Sequence, residues 1–230
     1  MDFKTNATKL HLNLIYFCKK TTMVKTSSLR YTYQNAQELS FPDVDLTPGE
    51  HLLVIGPSGV GKTTLLHLMS GLLPPSQGSI TIDGTTLSSL SRKELDHYRG
   101  AYIGLIFQQY HFIKSLNVAD NLRLRQSYPK NSEDKQRRQE LTQRLGLAEH
   151  TYKKVTALSQ GQQQRLSIAL GLIHRPKIIF ADEPTSNLDD ENTAAVIELL
   201  KEEVAICKSS LVIITHDTRV MSHFQNTVTL

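Results

Sequence analysis

Apolar positions along this chain follow two rhythms. "SITIDG" (79–84) alternates apolar and polar residues, as a half-buried strand does. "SLRYTY" (28–33) and "LSFPDVDL" (39–46) read as strands of an antiparallel edge layer, the second limited by Pro42. Four runs are short and continuously apolar: "HLLVI" (51–55), "YIGLIF" (102–107), "KIIFAD" (177–182) and "SLVIITH" (210–216). Such runs suit strands buried on both faces. Elsewhere the apolar residues recur at helical spacing, over 62–71, 91–99, 117–125, 132–147, 159–174 and 190–206. Strands alternating with helices predict an α/β fold with a mainly parallel sheet. The stretch from about 91 to 160 is mostly helical and predicts an inserted α-helical subdomain. No internal repeat or low-complexity segment interrupts the pattern.

Composition narrows the class. The 230 residues are 39% hydrophobic and 21% charged, which fits one soluble globular domain with a real core. No apolar run approaches the ~18 residues of a membrane span. "HLNLIYF" (11–17) is too short and is broken by Asn13. Cys18 and Cys207 make no metal or disulfide spacing, and a reducing cytoplasm is expected. The net charge of +4 is mild, and residues 123–154 concentrate nine Lys/Arg against four Asp/Glu. That stretch lacks an aromatic stacking platform, so a solvated or partner-facing surface is expected rather than nucleic acid. Residues 1–23 read as a tail. Met23 is either the true start or the end of an ordinary flexible leader.

The chemistry sits where strands meet helices. "GPSGVGKT" (56–63) fits G-x-x-x-x-G-K-[ST], follows an apolar run and opens a helical one. Gly56, Gly59 and Gly61 let the backbone curl so that the loop's N–H groups, those of Ser58 and Val60 included, cradle phosphates, with Pro57 shaping the loop without an N–H of its own. The helix start adds partial positive charge. Lys62 should reach the β- and γ-phosphates, Thr63 should hold Mg²⁺, and Thr64 is a further phosphate contact. "IIFADEP" (178–184) supplies a buried strand that ends in acids. Asp182 would bind Mg²⁺ through water, and Glu183 would polarise an attacking water. No N-K-x-D guanine reader accompanies these parts, which argues against a GTPase.

Further segments resemble the ATP-binding cassette family. "LSQGQ" (158–162) is similar to the LSGGQ signature and lies just before "IIFADEP" as in that family. "IFQQ" (106–109) resembles the Q-loop, "SNLD" (186–189) the D-loop, "ITHD" (214–217) the switch-histidine segment, and "RYTYQ" (30–34) the segment with an adenine-stacking tyrosine. The resemblance covers roughly residues 24–222. It implies a P-loop NTPase core (24–91 and 165–230) with an antiparallel β edge layer and a helical, signature-bearing subdomain (92–164). It implies an ATPase that closes as a head-to-tail homodimer around two ATP molecules with Mg²⁺. Ser159, Gly161 and Gln162 would face the γ-phosphate held by the second copy. Gln108 would ligate Mg²⁺ or the lytic water, with Gln109 the adjacent alternative. His216 would touch the γ-phosphate and hold Glu183 and the water in register. Tyr33 would stack on adenine, with Tyr31 as alternative. Asp189 would cross the dimer interface or cap the following helix. Gln160 replaces the first signature glycine. If that position needs a positive φ, glutamine costs of order 1 kcal/mol there, and ATP-driven closure is expected to weaken.

The resemblance further implies separate transmembrane permease subunits on the cytoplasmic face of the inner membrane. "QYHFIKSLNVADNL" (109–122), with Tyr110, Phe112 and Ile113, is the candidate groove for them. "GPSGVGKTTLLHLMSGLLPPSQGSI" and "ADEPTSNLDD" are closest to the lipoprotein-releasing and macrolide-efflux branch. The end of the chain soon after "ITHD" leads to the expectation of no C-terminal regulatory domain. The rival reading is a cassette ATPase acting on nucleic acid or ribosomes. Fewer than about 100 residues separate phosphate loop and signature, too few for the long coiled coils of chromosome and repair members.

Overall fold

Five parallel strands form the centre of the computed structural model, which describes residues 22–34, 37–128, 133–186 and 190–230. Residues 1–21, including Cys18, and Asp189 lie outside the described residues. The antiparallel layer uses β1 (Val24–Tyr31), β2 (Leu39–Ser40), β3 (Asp45–Leu46), β5 (Gln77–Ile82) and β6 (Thr85–Thr86), with β1 pairing β2, β3 and β5. The parallel sheet runs β10 (Asn226–Thr229), β4 (His51–Ile55), β9 (Ser210–Thr215), β8 (Ile178–Asp182), β7 (Ile103–Ile106).

The apolar strands divide by residue parity, because neighbouring side chains leave a strand on opposite faces. Leu53, Ile179, Ala181, Leu211 and Ile213 face one core cluster. There they meet α3 (Val118–Ser127), α5 (Gln160–Leu172) and α6 (Asp190–Cys207), and Leu141 of α4 (Lys135–Arg144). Leu52, Val54, Ile178, Phe180, Val212 and Ile214 face the other cluster, shared with α1 (Lys62–Met69) and the antiparallel layer. Strands buried on both faces need apolar residues at every position, which is why these runs do not alternate.

Several elements differ from the pattern reading. β1 starts at Val24, four residues before the expected strand. A bulge between Ser27 and Arg30, with Ser28 at φ 49, inserts a residue and resets the alternation. Pro42 splits the run 39–46 into β2 and β3. α2 (Arg92–Tyr102), opened by a reciprocal Ser91–Glu94 capping box, runs on to Tyr102, so β7 starts one residue later than expected. β7 lies within residues 92–164 yet pairs with β8 in the parallel sheet. β10 has no apolar signature: its burial is exposed or intermediate throughout, and only pairing with β4 makes it a strand.

Candidate active site

β4 delivers the phosphate loop at the carboxyl end of the parallel sheet, where open α/β sheets bind ligands. Gly61 is the N-cap of α1, at φ 105. A Cβ there would lie 3.2 Å from Leu39 Cδ1 and 3.3 Å from Phe41 Cε1, so both backbone and packing demand glycine. Lys62 is buried (7% exposed) and curls back over the loop. Its Nζ donates to the carbonyls of Gly56 (2.7 Å) and Pro57 (2.9 Å) and sits 4.0 Å from Glu183 Oε1. The Thr63 hydroxyl donates to Asp182 Oδ2 at 2.9 Å, joining the helix start to the end of β8.

Asp182 is almost wholly buried, and its Oδ1 has no hydrogen-bond partner among the described residues. Burial raises its pKa first; the Glu183 charge adds to this, while Thr63, His67 and Lys62 oppose it. A buried carboxylate with an unpaired oxygen beside a threonine hydroxyl fits a hard cation. Among the described residues no three His, Cys, Asp or Glu converge on a point. One carboxylate beside one hydroxyl is a donor set that fits Mg²⁺, which uses few protein ligands and completes its shell with water and phosphate oxygens.

Glu183 is held in the left-handed region at φ 48, a strain of order 1 kcal/mol for a side chain of this size. Its N–H donates to Ile214 O at 2.8 Å. The Thr215 hydroxyl donates to Oε2 (2.7 Å), the His216 N–H donates to Oε1 (3.1 Å), and His216 Nδ1 lies 2.7 Å from the same oxygen. Glu183 is thus buried and fixed, while the His216 side chain is 55% exposed at the mouth. Thr215 was missed in the sequence; its only signal is a hydroxyl ending an apolar strand beside a histidine.

A cleft of about 320 Å³ joins these groups, lined by Ser58, Gly59, Lys62, Gln108, Glu183 and His216 among others. Gln108 lines it and Gln109 does not. The Tyr33 and Thr64 hydroxyls are 2.9 Å apart. Tyr31 packs on the core, its ring edge against Tyr33 (centroids 4.7 Å), leaving Tyr33 as the exposed ring beside the phosphate loop.

The signature segment lies elsewhere. Ser159, Gly161 and Gln162 do not line the cleft. Ser159 caps α5: its hydroxyl accepts from Gln162 N–H (3.3 Å), and Gln162 Oε1 accepts from Ser159 N–H (3.0 Å). Gln163 donates to Leu158 O at 3.2 Å, pinning the turn before the helix. Gln164, also missed, is buried: it donates to Pro184 O (2.8 Å), directly after Glu183, and accepts from the Tyr110 hydroxyl (2.9 Å). Gln160 is the first residue of α5 and is not at positive φ, so the strain expected of it is not incurred. Among the described residues a Cβ on Gly161 would meet nothing within 4 Å, so no contact there explains that glycine.

A family model described as ABC transporter matches residues 39–186. The chain is 41% identical over 184 residues to the ABC transporter ATP-binding protein YtrE of Bacillus subtilis, covering 78% of this chain and 80% of that protein. It is 34% identical over 196 residues to the lipoprotein-releasing system ATP-binding protein LolD of Buchnera aphidicola, covering 84% and 86%. It is 38% identical over 215 residues to the macrolide export ATP-binding/permease protein MacB of Escherichia coli, covering 90% of this chain but 33% of that one. The chain therefore spans about a third of the macrolide-export relative. Among solved structures, a dimeric post-hydrolysis state of the ATP-binding cassette MJ0796 bound to ADP and Pi superposes with TM-score 0.79 and 31% identity, covering 90% and 94%.

Proposed function

The chain belongs to the ATP-binding cassette transporter family and is an ATP-binding, ATP-hydrolysing member of it, and we propose the following division of labour among its residues. Lys62 leaves the carbonyls of Gly56 and Pro57 for the phosphate oxygens of ATP when these arrive. The loop N–H groups from Ser58 to Thr64 hold the rest of the phosphate chain. Thr63 and Asp182, with Gln108, hold Mg²⁺, which supplies charge neutralisation on the phosphate oxygens when bound. Glu183 orients the attacking water and accepts its proton. Thr215 and His216 keep that carboxylate in place, and His216 is exposed enough to meet the γ-phosphate. Tyr33 stacks on adenine.

The signature completes the site of a second copy. Ser159, Gly161 and Gln162 stand away from the chain's own cleft, and Gly161 faces open space. Two copies arranged head to tail put each signature against the other's ATP, so ATP closes the dimer and hydrolysis reopens it. Asp189, outside the described residues, belongs to this interface. No helix among the described residues is long and apolar enough to cross a membrane. We assign the cycle to driving permease subunits at the cytoplasmic face of the inner membrane. The branch is the lipoprotein-releasing and macrolide-efflux one. A groove of about 540 Å³ lined by Phe112, Ile113 and Leu124 takes a cytoplasmic helix of the permease.

The observation that carries the reading is the join of Thr63 to Asp182 with Glu183 held by Thr215 and His216. The test is the solution mass of Glu183→Gln with ATP, with ADP and with neither. A dimer with ATP only is expected. A monomer in all three, with ATP shown to bind, sinks closure by ATP alone.

A further inference from the structure

Arg125 on α3 lines the groove together with Phe107, Phe112, Ile113, Leu124 and Leu170. Its Nη1 donates to Gly100 O (3.2 Å), and its Nη2 donates to Ile103 O (3.4 Å) and lies 2.9 Å from His174 Nε2. His174 Nε2 also lies 3.0 Å from Ile103 O and can serve only one of the two, so at least two of the five guanidinium N–H donors have no partner among the described residues. The carbonyls lie at the end of α2 and the start of β7, and a helix C-terminus supplies only about half an elementary charge. His174 supplies none. Burial, then the Arg125 charge itself, lowers its pKa to about 3, so the ring is neutral. Asp96 also lines the groove but pairs with Arg99. Among the described residues no carboxylate forms an ion pair with Arg125. Burial brings Arg125 down to about 10, which still leaves a cation at neutral pH. In a mainly apolar lining that also holds His111, Asn121 and Ser167, Arg125 is thus a cation with no ion-paired carboxylate among the described residues.

We propose that Arg125 reads a carboxylate: the helix that docks in this groove presents an Asp or Glu whose oxygens take the free donors of the guanidinium. The proposal rests on the docking reading and adds the chemistry of the partner. Apolar walls exclude water once a helix is seated, which strengthens attraction between opposite charges. A guanidinium matches a carboxylate as a planar fork, which an ammonium does not. A helix with a lysine or a neutral side chain at that point leaves Arg125 buried without a counter-charge. That mismatch selects against wrong partners.

The probe is a displayed library of amphipathic helical peptides with a fixed Leu/Phe stripe and randomised positions beside it. It is selected in parallel on the wild-type chain, Arg125→Met, Arg125→Lys and Leu124→Asp. ATP binding and thermal melting report that each variant is folded. Expected are wild-type binders with Asp or Glu at one stripe-flanking position, lost on Leu124→Asp. Replacing that acid by its amide weakens wild-type binding about tenfold or more, and Arg125→Met removes the preference while Arg125→Lys keeps part of it. Groove-dependent binders with no acid, or an acid preference that survives Arg125→Met, overturn the proposal and leave docking intact. The absence of any binder sensitive to Leu124→Asp overturns docking and the proposal with it.

Discussion

The phosphate-loop cleft and the signature start of α5 both open a helix with a polar turn, yet they are finished to different degrees. In the cleft the polar groups are already tied to one another. Lys62 rests on two carbonyls, Thr63 holds Asp182, and Glu183 is gripped by Thr215 and His216. At the signature, Ser159 and Gln162 satisfy each other at the surface, and Gly161 points at nothing. The first region is preorganised within one chain. The second is hydrogen-bonded within its own turn and stands apart from the cleft. Substitutions should therefore separate fold from function differently in the two places.

The largest effect is expected at Glu183. Glu183→Gln should lower ATP turnover by about 10²- to 10⁴-fold, the usual weight of a general base, while nucleotide still binds. Phosphate release set against equilibrium ATP binding measures both. Thr215→Val comes next. It removes a donor from a buried carboxylate and should cost about 1–3 kcal/mol in denaturant unfolding, with turnover falling as well.

Asp182 tests the cleft by pH. Its folded pKa is raised, chiefly by burial. The charged form is therefore disfavoured in the fold, and apo stability falls as pH rises from the unfolded to the folded pKa, staying low above it. Asp182→Asn should melt higher than wild type at neutral pH without nucleotide, and the gap should close as the medium is acidified. The same variant should lose Mg²⁺-dependent turnover. A lower melting point at neutral pH would mean that the Thr63 contact outweighs the burial of charge.

The signature effects on stability are smaller and of a different kind. Gln160→Gly, which restores the family's glycine, should destabilise the fold by about 0.5–1 kcal/mol because glycine is the poorer helix residue. Gly161→Ala should change unfolding by a few tenths of a kcal/mol, in the stabilising direction. It should nevertheless weaken the ATP-driven dimer of Glu183→Gln, read by the protein concentration at which half is dimeric. An unchanged dimer would show that the open space at Gly161 is not filled by a partner.

Much of this was legible along the chain, and the reasons are local. "GPSGVGKT" is readable because a phosphate cradle needs backbone freedom and a lysine at fixed spacing, all within one turn. Asp182 and Glu183 are readable because an acid after a buried apolar run must emerge at the strand's end. β10 and Gln164 were not readable. β10 is polar, and only its ladder to β4 makes it a strand. Gln164 looks like its neighbours in "GQQQR", and only packing buries it between Tyr110 and Pro184.

The sequence by itself determined the α/β class, the phosphate loop and the acidic strand end, because each rests on periodicity or on spacing within a few residues, while the signature was legible only by its resemblance to the family's. Tertiary structure alone decided which of two neighbours stands at the cleft and what holds it. It put Tyr33 rather than Tyr31 beside the loop, and Gln108 rather than Gln109 in the cleft. It relieved Gln160 of strain by making it helical. It brought Thr215 onto Glu183 and left Arg125 without an ion-paired carboxylate among the described residues. These are facts about which groups meet across strands and helices far apart in the chain, and no local period encodes them.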